Sequence, residues 1–162
     1  MQTIFRKKHG LFTFLLSAAG ILLAGAVLTV WMTRQTDRNM RQSLLRQAKI
    51  AAACMDPARI RLLTGTERDL KSNAYQTMKQ KLQRARLSNP DIRFLYLMGR
   101  KDSGEVFFFV DSQPSDAEDY APPGLLYQEV PPEYLAAFKN GAEKTAGPVK
   151  DRWGRVITAL VP

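Results

Sequence analysis

Hydrophobic and polar positions divide the chain into three stretches. Residues 11–32 form a run of 22 positions without a charge. As a helix rising about 1.5 Å per residue, such a run reaches roughly 33 Å, the depth of a bilayer's hydrocarbon core. Residues 33–55 then lack Gly and Pro, and Leu44, Leu45, Ala48, Ala51, Ala52 and Met55 recur at helical spacing. The pattern predicts that the apolar helix continues outward through this segment. Asp56-Pro57 ends it, since a residue before proline is pushed out of the α region.

The third stretch, 56–162, alternates shorter elements. A helical turn is expected over 57–63, closing at Gly65. Asp69 or Ser72 can cap a second helix whose Tyr75, Met78, Leu82 and Ala85 share a face, and Asn89-Pro90 stops it. Residues 92–98 and 106–110 read as strands by their aromatic and aliphatic density, with Asp102-Ser103-Gly104 as the turn of an antiparallel hairpin. Both strands are apolar on both faces, so the sheet should be covered twice. The long N-terminal helix is expected on one face, and something else must cover the other. An acidic, proline-containing loop follows over 112–124, then a short helix over 131–139 with Tyr134, Leu135 and Phe138 turned inward. Residues 147–154 read as a turn into a third strand, 155–161. A strand there without a closing partner leaves an open edge, so the expectation is a truncated sheet, the front portion of a longer protein.

Composition narrows the chemistry. The single cysteine, Cys54, cannot build a disulfide framework or thiolate metal cage, and its small-residue stripe predicts a buried, inert thiol. The single histidine, His9, lies in the basic tail, which excludes a histidine triad or a His-rich metal site. There is no glycine-rich phosphate loop and no repeat. Asp116, Glu118 and Asp119 have a spacing that fits no calcium loop, so no metal and no cofactor is expected.

Charge is divided unequally. Residues 34–101 carry sixteen basic and five acidic side chains, whereas 102–162 carry five basic and ten acidic. A basic half can signal nucleic acid. Yet Tyr75 is the only aromatic between Arg34 and Asp91, so stacking platforms are missing and nucleic acid is not an expected partner. The cations nearest the apolar run are placed against lipid headgroups or solvent.

The apolar run reads as an uncleaved anchor. Ala24-Gly25-Ala26 resembles a signal-peptidase site, but the run continues through Val27, Leu28, Val30 and Met32, longer than a signal sequence needs. Arg6, Lys7 and Lys8 precede it and Trp31 marks its far end. Because basic residues also follow the helix, orientation rests on the habit of short basic tails to stay in the cytoplasm. The expected organisation is a cytoplasmic tail (1–10), a transmembrane helix (11–32), a juxtamembrane signalling helix (33–55) and an extracytoplasmic domain (56–162). The beginning at Gly10-Leu11-Phe12 resembles a type IV pilin start, without the glutamate that such a helix carries.

The order of elements resembles the extracytoplasmic PAS-like sensor domains, also called PDC or Cache-like, of bacterial membrane receptors. The stretches that carry it are DPARIRLLTGTERD (56–69), YQTMKQKLQRARLSNPDIRFLYLM (75–98), GEVFFFVDS (104–112) and GPVKDRWGRVITALVP (147–162). The resemblance implies an α+β fold in which a transmembrane helix continues into a long helix packed on an antiparallel PAS-like sheet. It also implies a bacterial inner-membrane location and a small-molecule ligand on the sheet's far face, bound by Tyr96, Asp111, Tyr127, Asp151 and Trp153. Counted along the strand, Asp111 falls on the face of Phe107 and Phe109, and a carboxylate among aromatics suits a cationic or hydroxyl-bearing ligand group. Asp111 and Asp151 are also at positions where an aspartate serves a turn, and Trp153 also suits plain core. Two copies would pair through the membrane-proximal helix. Catalysis is not expected within this chain, although receptors of this kind carry histidine kinase or diguanylate cyclase modules. A single-anchor structural or assembly protein, pilin-like or a scaffold, is the competing reading.

Overall fold

The computed structural model describes the backbone of residues 2–162 and the side chains of residues 14–162. The protein is α+β, a long apolar helix followed by small helices and two antiparallel hairpins. Two compact units divide near residue 42.

In the first unit the apolar run is helical, as its composition dictates. Helix α1, Gln2–Ala53, begins within the expected basic tail and passes through the whole apolar segment. From Phe14 to Met32 its large side chains stand exposed, Leu22 at 74%. A contiguous apolar surface of this kind needs a non-aqueous neighbour. The few polar groups are satisfied locally: the hydroxyls of Thr29 and Thr33 donate to the carbonyls of Gly25 and Thr29, both at 2.8 Å. The Phe14–Ala53 part is long and apolar enough to cross a membrane, a property that a signal sequence near an N-terminus shares.

The second unit starts with the last turns of α1. Ala51 is buried there while Lys49 and Ile50 face solvent, which matches the predicted stripe. The helix stops three residues before the expected Asp56, and Asp56 instead caps α2, Pro57–Ile60, accepting from the Ala58 N–H at 2.9 Å. Cys54, expected to be buried, is exposed, because the stripe rotates away from it at the helix end. Of the two candidate caps, Ser72 starts α3, Asn73–Leu87, by accepting from the Tyr75 N–H at 3.1 Å. Asp69 lies inside a 3-10 turn, Glu67–Lys71, where its carboxylate takes the N–H groups of Thr64 and Gly65.

Strands β1, Tyr96–Arg100, and β2, Val106–Asp111, form the expected hairpin. Residues 92–95 remain outside the strand. Tyr75, Met78 and Leu82 of α3 bury one face of this hairpin together with Val110, Leu95, Leu97 and Phe109. The cover on that face is therefore α3 rather than the long helix. Only α3 brings large side chains; the end of α1 presents Ala48, Ala51 and Ala52 across a groove.

The other face packs Tyr96, Met98, Val106 and Phe108 against Tyr127 and Tyr134, the latter on α4, Pro132–Asn140. A second hairpin, β3 Lys144–Asp151 with β4 Gly154–Leu160, closes that side through Ala146, Trp153 and Leu160. Residues 147–151, expected in a turn, thus belong to a strand. Its register shifts between Ala146 and Val149, where Pro148 has no N–H to give the ladder. The two hairpins are separate two-stranded sheets.

Candidate functional site

Tyr96 and Asp111 are Cα partners across the β1–β2 ladder. The ladder slips by one residue between Leu97 and Met98: Leu97 faces Val110 and Met98 faces Phe108, so Phe109 is the extra residue of a bulge. That single insertion reverses the alternation behind it. Asp111 consequently lies on the side of Phe108 and Tyr96, not with Phe107 and Phe109 as the unbroken count predicts.

Asp151 and Trp153 belong to the turn of the β3–β4 hairpin. Oδ1 of Asp151 accepts from the Trp153 N–H at 2.9 Å, fixing the turn, and Oδ2 accepts from the Tyr127 hydroxyl at 2.9 Å. The Trp153 ring stands edge-on to Phe108, with centroids 5.6 Å apart, and lies 5.9 Å from Tyr127. Tyr96 meets Phe108 edge-on at 5.2 Å, and its hydroxyl is 3.4 Å from that of Tyr134.

Four of the five expected residues, Tyr96, Asp111, Asp151 and Trp153, line one hollow of about 20 Å³, which Asp119 and Phe108 help to close. Tyr127 stands behind it, bonded to Asp151 and with its ring against those of Phe108 and Trp153. A single water needs about 10–15 Å³, so the hollow in this conformation is water-sized. Arg93 lies 3.6 Å from Asp119, and its guanidinium sits over the Phe94 ring, which also borders the hollow.

Asp111 is 2% exposed and fully engaged. Its oxygens accept from the backbone N–H groups of Gln113 at 3.1 Å and Ala121 at 2.8 Å. The carboxyl is held above its usual range by burial, which outweighs those N–H groups and the Lys79 charge pulling the other way. Burial, then the Asp151 carboxylate, pushes the Tyr127 phenol up as well. Arg152 pairs with Glu129 at 2.8 Å on the surface and lowers the Glu129 carboxyl.

Sequence reasoning missed Lys79. Its ammonium is buried beneath the strand end, donates to the carbonyls of Asp111 at 3.2 Å and Gln113 at 2.8 Å, and lies 4.3 Å from the Tyr120 ring centroid. Beside it the Tyr75 and Tyr120 hydroxyls share a 2.9 Å hydrogen bond. The signal was present: Lys79 is four residues after Tyr75 and three before Leu82, on the apolar stripe of α3. Chemically, the arrangement can hold a small cation or hydroxyl between carboxylates and aromatic edges. It offers no nucleophile beside a base.

Neither a family model, nor a curated protein, nor a solved structure matches the chain.

Proposed function

We propose that the chain is the ligand-sensing, extracytoplasmic input region of a membrane-bound bacterial signalling receptor, PAS-like in its architecture. The observation that carries this reading is the convergence of Tyr96, Asp111, Asp151 and Trp153 on one hollow between the two hairpins. The residues come from segments far apart in sequence, and carboxylates under an aromatic roof suit an ammonium or hydroxyl group. The exposed apolar length of α1 supports membrane attachment. Because the hollow is water-sized, a ligand must lift the 112–131 loop, whose Ala121 N–H rests on Asp111. Lys79 ties the same strand end to α3, so loop opening loads α3 and, through the shared core around Met55, the end of α1. A ligand biases two such packings only by its differential affinity for them.

The test is a thermal-shift screen of the full chain in lipid nanodiscs against small amines, amino acids, polyols and organic acids. An ammonium or hydroxyl compound at 100 times its dissociation constant should stabilise by about 2.7 kcal/mol. Asp151→Asn and Trp153→Phe should each abolish the shift. A genuine shift that both variants preserve would remove this site from the reading; no shift in any class would remove the sensor reading itself.

A further inference from the structure

Two residues, one buried and one exposed, each grip both limbs of the loop that follows β2. On the buried side Asp111 accepts from the Gln113 N–H through Oδ1 and from the Ala121 N–H through Oδ2. On the solvent side the Arg93 carbonyl accepts from the Gln113 side-chain amide at 3.0 Å, and the Arg93 guanidinium lies 3.6 Å from Asp119. Three polar ties therefore hold the returning limb: Asp119 to Arg93, Tyr120 to Tyr75, and Ala121 to Asp111. The last two end on residues that are 1% and 2% exposed. Only the first opens to solvent, with side-chain exposures of 61% for Arg93 and 28% for Asp119.

Only part of the loop is free to move. Residues 124–127 are laced to β2: the Gly124 N–H donates to the Phe108 carbonyl at 2.8 Å, the Phe108 N–H to the Leu125 carbonyl at 3.0 Å and the Tyr127 N–H to the Val106 carbonyl at 2.9 Å. Among the described residues, 114–118 have only local backbone bonds, from the Ala117 N–H to the Pro114 carbonyl and from the Tyr120 N–H to the Ala117 carbonyl. Residues 114–121 are thus a flap, and Asp119 and Ala121 on its returning limb both line the hollow.

We propose that Arg93 is the latch of this flap: its ion pair with Asp119 holds 114–121 closed, and breaking that pair lets the flap swing off Asp111 and widens the hollow. The guanidinium is positioned for the task. Its Cζ lies 4.7 Å from the Phe94 ring centroid, and an added Cβ on Gly154 would lie 3.7 Å from its Nη1, so the approach to β1 and the start of β4 both steady it. A planar guanidinium stacks on a ring and reaches a carboxylate at once, which a compact ammonium does less well. Arg93 is a positioning residue: it sets how often the hollow opens and touches no ligand. What the flap admits rests on the sensor reading; the latch itself does not.

Amide exchange on the full chain in lipid nanodiscs tests the latch, resolved to single residues and without any ligand. Ala121 exchanges when its N–H leaves Asp111, so its rate reports flap opening. At about 10 mM salt, Asp119→Asn should speed exchange at Ala121 about twofold to fivefold. Arg93→Met should speed it about threefold to tenfold, since it also loses the cation–ring contact with Phe94. Exchange at Phe108 and Gly124 should not change. Raising NaCl to about 1 M shortens the screening length from about 30 Å to about 3 Å. That change should bring Ala121 of the parent more than halfway to the Asp119→Asn rate and leave the variant where it is. An Ala121 rate that neither variant moves would overturn the latch. Equal acceleration at Phe108 and Gly124 would also overturn it, making Arg93 a general support of the fold, as would a parent rate that salt does not move. Because no ligand is used, a working latch beside a blank ligand screen removes only the sensor reading, and a failed latch beside a genuine ligand shift removes only the gate.

Discussion

The Tyr127 hydroxyl donates to Oδ2 of Asp151 at 2.9 Å, while Oδ1 of the same carboxylate holds the Trp153 N–H at 2.9 Å. One side chain therefore fixes both the turn of the second hairpin and the loop that crosses the first. Tyr127→Phe keeps the ring contacts with Phe108 and Trp153 but strands one carboxylate oxygen. A buried hydrogen bond contributes about 1 kcal/mol, more when the acceptor is charged. The melting temperature should drop by about 3–5 °C. An unchanged melting temperature would show that the bond is offset by water in solution.

The phenols supply a second, spectroscopic check. Burial raises those of Tyr75, Tyr96, Tyr127 and Tyr134 above their ordinary value. These four should contribute less phenolate absorbance at pH 10 while the protein is folded than after it unfolds. A native protein whose tyrosines titrate smoothly near pH 10 would contradict the packing described.

Gly99 tests the core on the α3 side. A Cβ at this position would lie 2.4 Å from Cε2 of Phe109 and 2.7 Å from Cζ of Phe107. Neither ring has an easy escape. The two rings are in contact at a 60° tilt with centroids 4.6 Å apart, and Phe107 also presses on Gly65, where a Cβ would meet it at 2.3 Å. Gly99→Ala should cost about 1–3 kcal/mol by overpacking. In urea unfolding, Phe107→Leu added to Gly99→Ala should recover part of that loss; strict additivity of the two would mean that the ring is not the obstacle.

These contacts also show what the sequence made legible. The first hairpin was readable because apolar density and Asp102-Ser103-Gly104 agree, and α3 because Ser72 and its apolar stripe agree. The side on which Asp111 lies was not, because a period-two count assumes an unbroken ladder and the bulge at Phe109 breaks it. Gly147-Pro148 reads as punctuation locally, yet pairing with β4 carries the strand through it. The covering helix was misjudged for a related reason. Periodicity gives a face to both α1 and α3, and only side-chain volume decides which one fills the space. That four of the expected residues share a hollow followed from their places at element ends; that the hollow is water-sized depends on loop packing, which no local pattern encodes.

Lys79 makes a sharper prediction. The residue is 7% exposed, and its ammonium has two carbonyl oxygens and an aromatic ring for company. Burial lowers its pKa, against the nearby Asp111 charge. Lys79→Met keeps the length and the apolar stem but leaves the Asp111 and Gln113 carbonyls unpaired, which should cost about 1–3 kcal/mol. Lys79→Arg should be little better, since a planar fork replaces a compact ammonium. Urea midpoints decide it: a Met variant as stable as the parent would mean that water replaces the ammonium.

The pH dependence of stability isolates Asp111. Its carboxyl pKa is raised in the folded state, chiefly by burial, so folding favours the protonated form. The sign follows from linkage: this group's contribution is fully present below the unfolded value of 3.8 and is lost as pH rises through the higher folded value. Lys79 has a lowered folded pKa, so its contribution is present above the unfolded value of 10.5 and is lost as pH falls through the folded value; the two windows lie at opposite ends of the scale. Asp111→Asn removes the acid-side component. It also leaves an amide whose N–H₂ cannot accept from both Gln113 and Ala121, so the variant should be less stable at every pH by about 1–3 kcal/mol. Urea unfolding of parent and variant between pH 3 and pH 7 measures both effects. The gap between the two should widen toward the acid end, where the parent retains the stability that its protonated Asp111 supplies. A gap that narrows toward acid would place the folded pKa below the unfolded one, and the two backbone N–H groups, not burial, would then govern this carboxylate.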